Sequence, residues 1–178
     1  KGSGIRAKRK VLFYTPSPIK LDLKIDLVDV SYSNDEKDLS KLREYDVLVL
    51  GLYEAGHGLS FEHQWQIINY VQQGGNVIGI HDVVYGHFNL QLADVLFGSM
   101  RVETLGRGKL EISVNQNEKD HPICKDINTF TIDDDETFDV LLHKNSKVVF
   151  YDNCKYPVGW FRTHEKGNVF CFKIQSLL

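Results

Sequence analysis

Hydrophobic spacing predicts alternating strands and helices in the first half of the chain. Short apolar runs at residues 11–15 and 47–50 predict strands, as does an alternating apolar and acidic run at residues 25–30. A helix is predicted over residues 61–73, and a fourth strand follows at residues 77–80. This alternation is typical of a parallel sheet with helices packed on both faces.

The predicted helix at residues 61–73 has clear ends and one apolar side. Ser60 precedes it as an N-cap, and Gly74 with Gly75 supplies the stop signal. The apolar residues that recur at helical spacing are Phe61, Trp65, Ile68 and Val71. Such a stripe is typical of a helix that packs on one side.

The connection between the first two predicted strands is short and contains Pro16 and Pro18. Proline inside a helix removes a hydrogen bond and clashes with the preceding turn. A parallel pair of strands normally needs a crossover of a dozen or more residues. The first crossover helix is therefore expected to be missing or reduced to a turn.

Beyond a predicted helix at residues 87–97, the second half of the chain is dominated by strands. These are predicted at residues 110–114, 129–132, 148–151, 157–162 and 169–174. The last two are expected to form a hairpin through residues 164–167. Residues 11–178 are predicted to be one domain, and residues 1–10 a tag or disordered tail.

Composition then narrows the class of protein. A length of 178 residues suits one domain, and 42% hydrophobic with 25% charged residues is typical of a globular chain. The formal net charge of −3 gives no reason to expect nucleic-acid binding. No apolar run approaches the ~20 residues of a membrane-spanning helix. No membrane partner is expected.

The cysteines indicate a reducing compartment. Cys124, Cys154 and Cys171 are an odd number in a chain long enough to fold without disulfides. They are interpreted as reduced thiols of an intracellular, cytoplasmic protein.

His81 and Asp82 directly follow the predicted strand at residues 77–80. In hydrolases and amidotransferases, such a strand-to-turn elbow projects a nucleophile above the sheet edge, close to backbone N–H groups. Here the projected side chain is an imidazole. The elbow makes His81 the first candidate for a functional residue.

Three segments together resemble the ThuA-like family, named for trehalose utilisation, within the class I glutamine amidotransferase-like superfamily. Residues 74–82 resemble its Gly-Gly-strand-Gly-x-His pattern, and residues 157–160 its late Pro-x-x-Trp hairpin. His121-Pro122 and the later Asp135-Glu136 look like its His-Pro segment and Asp-Glu motif. Order and spacing of the segments agree, so the combination is specific.

The resemblance implies a flavodoxin-like, class I glutamine amidotransferase-like α/β fold with a small-molecule pocket near the elbow. It also implies an association with sugar metabolism. Two departures from the family pattern weaken the expectation that the chain is catalytic. The first loop has no histidine, and Gln175-Ser176 stands where the family commonly has Gly-His. The chain is therefore expected to be a divergent member.

The candidate catalytic residues are His81, Asp82 and Glu136, with His81 as acid/base or metal ligand. Glu136 follows a predicted strand in an acidic run whose like charges could raise a carboxylate pKa, although a solvated acidic loop is an equal alternative. His57 and Trp160 are the candidate substrate-binding residues. For Trp160, stacking on a sugar competes with buried packing as the default.

A divalent metal such as zinc is a second use for the same groups. His81, His57 and Glu136 would be its ligands, with an open position for water. These residues are scattered along the sequence, without the close spacing of a recognised metal motif.

Other functions of this fold are excluded by missing groups. No cysteine stands at the elbow, which argues against glutamine hydrolysis. The first loop lacks the small donors and the helix of an FMN phosphate site, and no Gly-x-Gly-x-x-Gly follows a strand.

Two functional hypotheses follow. In the first, a pocket at the carboxyl edge of the sheet binds a sugar or sugar-derived substrate and uses His81 with Glu136. In the second, the domain is catalytically degenerate and serves as a protein interaction module. The retained elbow favours the first, and the departures from the family pattern favour the second.

Overall fold

The fold was analysed on a computed structural model, which describes residues 7–16, 26–51, 58–84, 89 and 91–174. The first half contains β1 (Arg9–Tyr14), β2 (Val28–Ser33), β3 (Val47–Leu50), α1 (Phe61–Gln72) and β4 (Asn76–Ile80). The second half contains β5 (Ser99–Val114), β6 (Phe130–Leu142), β7 (Lys147–Tyr151), β8 (Pro157–His164) and β9 (Gly167–Phe172). The larger remaining helical segments are a 3-10 helix at Glu36–Glu44, kinked at Lys41, and a π-helix at Leu92–Phe97.

The nine strands form one mixed sheet in the order β2-β1-β3-β4-β9-β8-β7-β5-β6. Strands β2, β1, β3, β4 and β9 are parallel neighbours, and the remaining pairs are antiparallel. The predicted parallel pairing of the first four strands is confirmed. The predicted hairpin is also confirmed, because His164 of β8 pairs with Gly167 of β9.

Helix α1 begins where the sequence predicts, because Ser60 accepts a hydrogen bond from the His63 backbone N–H. Its buried side differs from the predicted stripe. The buried residues are Gln64, Ile67, Ile68, Tyr70 and Val71. Phe61 and Trp65 are 66% and 48% exposed. The buried stripe is rotated because the Gln64 amide enters the core, where it donates a hydrogen bond to the carbonyl oxygen of Leu59.

Two hydrophobic clusters lie on opposite faces of the sheet. In β9, Val169 and Cys171 belong to the first cluster and Phe172 to the second, and alternate residues of a strand point to opposite faces. Buried residues of α1, the kinked 3-10 helix and the π-helix all join the first cluster. The second cluster is built from β5, β7, β8, β9 and a short 3-10 turn at Pro122–Cys124. The predicted layer of helices on both faces is therefore not confirmed among the described residues.

Strands β5 and β6 form a long antiparallel ribbon that passes from one face of the sheet to the other. Val140 of β6 lies in the first cluster, whereas Ile112 of β5 lies in the second. The ladder between them is interrupted by irregularities around Gly106 and Gly108. The middle of the ribbon consequently crosses an edge of the sheet.

Several predicted boundaries need correction. Strand β1 begins at Arg9, inside the segment predicted to be a tail, because Arg9 and Lys10 pair with β2. Strand β2 lies three residues later than predicted. No helix was predicted at the kinked segment Glu36–Glu44, which is mostly polar and buries only Leu39 and Leu42.

The predicted helix at residues 87–97 is reduced, in the described part, to the π-helix Leu92–Phe97, which ends at Gly98 with φ of 59°. The expected absence of a first crossover helix concerns residues 17–25, which lie outside the described residues. Within the described ranges, no helix is both long and apolar enough to cross a membrane.

Candidate functional site

The predicted elbow is present at the carboxyl end of β4. Strand β4 ends at Ile80, and His81 opens a 3-10 turn that runs to Val84. His81 has a φ of 59°, in the left-handed region that disfavours residues with a Cβ. The backbone therefore turns sharply at His81, directly after a buried parallel strand, as the predicted elbow requires.

The His81 ring is anchored to the neighbouring strand. Its Nδ1 lies 3.3 Å from the carbonyl oxygen of Lys173, which can only accept a hydrogen bond. Nδ1 is therefore assigned as the protonated nitrogen in the neutral ring, and Nε2 carries the lone pair. The ring is 6% exposed. This arrangement leaves Nε2 as the nitrogen with base or metal-ligand character.

Close packing fixes the elbow from below. A Cβ on Gly79 would lie 2.8 Å from Cε1 of Phe97 and 2.9 Å from Cγ1 of Val84. The Ser99 hydroxyl, at the start of β5, donates a hydrogen bond to the carbonyl oxygen of Val84. The elbow, the π-helix and the beginning of β5 are thus packed together as one unit.

Lys173 is a residue at this edge that sequence reasoning missed. It directly follows β9, the neighbour of β4, and only 2% of it is exposed. Its Nζ lies 5.9 Å from the centre of the Tyr156 ring, within the range of a cation–π contact. Lysine is rarely buried in full. The signal in the sequence was a single charged residue at the end of an apolar strand.

The backbone of Glu136 lies inside β6, and this corrects the prediction that Glu136 follows a strand. It falls between the pairs Gly106 with Thr137 and Gly108 with Asp134, in the middle of the ribbon. Near one end of the ribbon, Ser99 contacts the turn after His81. At the other end, Ser113 of β5 pairs with Tyr151, the last residue of β7.

Strand β7 runs in the same direction as β9, because both are antiparallel to β8. Tyr151 therefore marks the carboxyl edge, and the Ser113 end of the ribbon is attached at this edge. The backbone of Glu136 lies in the middle of the ribbon, between these two attachments. The structure describes the backbone of Glu136 but not its side chain.

The other predicted site residues are placed less directly. His57 lies outside the described residues, and for Asp82 only the backbone is described, in the turn after β4. Trp160 is fully buried, and its indole N–H donates a 2.9 Å hydrogen bond to the carbonyl oxygen of Phe97. Of the two roles expected for Trp160, the structure therefore shows buried packing, since a side chain without exposed surface cannot stack on a sugar.

Among the described residues, no group of three His, Cys, Asp or Glu side chains is arranged to hold a metal. Two of the predicted ligands, His57 and Glu136, are not part of that comparison because their side chains are not described. All three cysteines are free thiols, and Cys124 and Cys171 are buried. Burial raises the pKa of the Cys171 thiol well above its usual value.

Comparison with known proteins gives one family and a recurrent fold. A family model described as ThuA, trehalose utilisation, matches residues 9–174. No curated protein matches the sequence. A ThuA-like protein of Bacteroides uniformis has 14% identity and a TM-score of 0.70, covering 96% of this chain and 84% of its own. A protein of Salmonella typhimurium described as cytoplasmic has 16% identity and a TM-score of 0.71, with coverage of 95% and 89%.

The same fold occurs within a longer enzyme. A cold-adapted β-galactosidase of Rahnella matches with a TM-score of 0.67 at 12% identity, over 96% of this chain but 29% of the galactosidase. At such identities the likeness shows the fold alone.

Proposed function

We propose a function on the premise that this chain belongs to the ThuA family, trehalose utilisation, whose model matches residues 9–174. The proposal is that the carboxyl edge of the sheet binds a sugar or sugar-derived small molecule beside His81. The observation that carries it is the left-handed backbone of His81 at the end of β4. Such strain persists only where the surrounding structure enforces it, and it is concentrated at functional sites.

The role of His81 in this proposal is that of a general base or acid toward a substrate hydroxyl. The contact between its Nδ1 and Lys173 sets the tautomer, so that Nε2 accepts the proton. Sugar hydroxyls become better nucleophiles or leaving groups when a positioned base or acid handles their proton. Asp82 follows in the same turn and is included in the proposed site.

Glu136 is the proposed acidic partner of His81. The path of the β5–β6 ribbon supports this role, because its Ser99 end contacts the turn after His81 and its Ser113 end is attached at the carboxyl edge. A carboxylate beside the imidazole would stabilise its protonated form during proton transfer. His57 remains a proposed substrate contact in the loop after β3, whereas the burial of Trp160 removes it from the proposed contacts.

A divalent metal such as zinc is an alternative use of His81 Nε2, with His57 and Glu136 as further proposed ligands. A zinc ion would supply a Lewis acid for a sugar oxygen. Metal analysis of the purified protein after incubation with zinc tests this form. A zinc content near one per chain that is lost in His81→Ala supports it, and no retained zinc contradicts it.

The binding proposal is tested by calorimetric titration with trehalose and a panel of aldoses and ketoses. We expect saturable binding of at least one sugar, and a loss of roughly tenfold or more in affinity in His81→Ala. His143→Ala is the matched control, since His143 is exposed on the turn after β6 and pairs with Asp94 instead. If no member of the panel binds, or if both variants bind like the wild type, the proposed site is wrong.

An interaction module is the second candidate, and the exposed aromatic residues of α1 favour it. Phe61 and Trp65 lie one helical turn apart and are both largely exposed. Paired exposed aromatics are enriched at protein interfaces. Sedimentation velocity over a range of concentrations tests a second copy of the chain as the partner. Self-association that disappears in Phe61→Ser with Trp65→Ser supports this candidate, and a concentration-independent monomer contradicts it.

A further inference from the structure

A cleft lies at the amino edge of the sheet, on the opposite side from His81, and takes no part in the proposed sugar site. Its volume is about 350 Å³. Its lining residues come from the starts of β1, β3 and β4, from the kinked 3-10 helix and from the end of α1: Arg9, Arg43, Tyr45, Asp46, Tyr70, Gln73, Gly74, Gly75 and Asn76. We propose that this amino-edge cleft binds a small oxyanion, such as a phosphate or carboxylate group of a metabolite, between Arg9 and Arg43.

The charge of the lining favours an anion. Two guanidinium groups, from Arg9 and Arg43, face a single carboxylate, that of Asp46. A guanidinium has five N–H donors in a planar fork that matches the geometry of carboxylates and phosphates. The lining therefore has an excess of one positive charge, which favours a negatively charged ligand.

Each arginine has one polar contact at the cleft, and most of its N–H donors remain for a ligand. Arg43 Nη2 donates a 3.1 Å hydrogen bond to Oε1 of Gln73 at the end of α1. Arg9 Nη1 lies 3.8 Å from Oδ1 of Asp46, whose Oδ2 accepts a 2.8 Å hydrogen bond from the Lys10 backbone N–H. Asp46 is thereby tied to the backbone and lies beside the exposed guanidinium of Arg9.

The carboxyl end of α1 would ordinarily repel an anion, because unpaired carbonyl groups collect there. Here the turn through Gly74, with φ of 107°, returns backbone N–H groups to those carbonyls. The Gly74 N–H donates to Val71 and the Gly75 N–H donates to Tyr70. Because these carbonyl groups are hydrogen-bonded, the turn reduces the electrostatic repulsion that the end of α1 would exert on an anion in the cleft.

The floor of the cleft contains a close contact that only glycine allows at position 75. A Cβ on Gly75 would lie 2.5 Å from the Tyr70 ring, so the ring packs directly on the backbone. The Tyr70 hydroxyl donates to the carbonyl oxygen of Tyr45 and so ties α1 to the start of β3.

A neighbouring cleft of about 200 Å³ between α1 and the kinked 3-10 helix shares Arg43, Tyr70 and Gln73 with the first. A volume of this order holds a small metabolite and not a dinucleotide. The ligand expected from this geometry is an oxyanion with a short polar substituent that reaches across Arg43.

Nuclear magnetic resonance of the whole chain tests the site with inorganic phosphate and with malonate, against sodium chloride at equal ionic strength. Saturable shifts of the Gly74 and Gly75 amides are expected. Saturation with phosphate alone would identify a phosphate site, and saturation with malonate as well would identify a site for either oxyanion. Shifts that grow linearly in all three salts would overturn the proposal, because they indicate an adventitious ion only.

Substitutions then separate binding from a structural role. Arg43→Ala is expected to weaken phosphate binding roughly tenfold, and Asp46→Asn to strengthen it severalfold because the opposing carboxylate is removed. Arg101→Ala on β5, which removes an exposed arginine outside the cleft, is the matched control. Arg43→Lys keeps the charge if Arg43→Ala fails to fold. Unchanged affinity in the Arg43 and Asp46 variants, or weaker binding in Asp46→Asn, contradicts the proposal.

Discussion

Nδ1 of His81 and the carbonyl oxygen of Lys173 lie 3.3 Å apart, across the boundary between β4 and β9. This contact joins two neighbouring parallel strands that are far apart in sequence, since β4 ends at Ile80 and β9 begins at Gly167. The elbow is therefore fixed by a tertiary contact as well as by its own backbone. Its geometry depends on the last strand being in register.

The left-handed backbone of His81 leads to a prediction about stability. Left-handed φ values cost residues with a Cβ about 1–2 kcal/mol, whereas glycine adopts them readily. His81→Gly should therefore be more stable than His81→Ala by about 1 kcal/mol in urea unfolding. Equal midpoints for the two variants, or a less stable glycine variant, would show that the elbow is unstrained.

Gly79 is predicted to tolerate no side chain, because an added Cβ meets Phe97 and Val84 at less than 3.0 Å. Gly79→Ala should lower the free energy of unfolding by about 1–3 kcal/mol. Gly108→Ala is the control, since a Cβ there has no neighbour within 4 Å. Thermal unfolding of both variants decides the matter, and a stable Gly79→Ala protein would contradict the packing below the elbow.

Trp160 is predicted to act in packing and not in ligand binding. Trp160→Phe removes the indole donor to the carbonyl oxygen of Phe97, and this buried acceptor then keeps the weak thiol donor of Cys171, 3.9 Å away. The cost should be about 1–3 kcal/mol of folding free energy. Affinity for any sugar found by titration should be unchanged at temperatures where the variant is folded. A selective loss of affinity without a loss of stability would return Trp160 to the site.

Cys171 makes stability depend on pH in the alkaline range. Burial raises the pKa of its thiol well above the ordinary value near 9, so the folded protein keeps the proton that the unfolded chain releases. The stabilisation is fully present below the unfolded pKa and is lost as pH rises from there toward the folded pKa. Urea unfolding at pH 7 and pH 10 should show a smaller fall for Cys171→Ala than for the wild type. Parallel falls for both proteins would contradict this prediction.

The same thiols give a chemical test with a clear order. Cys154 is exposed and should react with a thiol reagent at once, whereas Cys171 should react only on unfolding. Rapid labelling of Cys171 in the native protein would show that the first cluster is open to solvent.

The sequence predicted those parts of the fold in which local signals and tertiary packing agree. Strand Val47–Leu50 is a continuous apolar run because it is flanked by parallel strands on both sides, and its bounds are as predicted. Helix α1 was found from Ser60, whose side chain does cap it. The histidine elbow was predictable for the same reason, as a polar residue at the end of a buried strand.

The errors arise where tertiary contacts override local patterns. The alternation at residues 25–30 continues through Tyr32, so sequence spacing did not fix which residues of β2 pair with β1. Strand β5 begins at Ser99, eleven residues before the predicted start at Leu110, since its glycines resembled loop residues while they form irregular positions of the ribbon. Lys173 was overlooked because a lysine at the end of an apolar strand ordinarily reaches solvent, and its burial here depends on tertiary contacts.

The most direct test of the proposed site is the nitrogen-15 spectrum of the histidine rings, recorded with and without the sugar that binds most tightly in the titration panel. We expect that His81 carries its proton on Nδ1, and that the Nε2 resonance of His81 shifts and saturates with the sugar while that of His143 stays unchanged. A proton on Nε2 in the free protein, or an Nε2 resonance that no sugar of the panel moves, would contradict the claim that His81 is the functional residue of this edge.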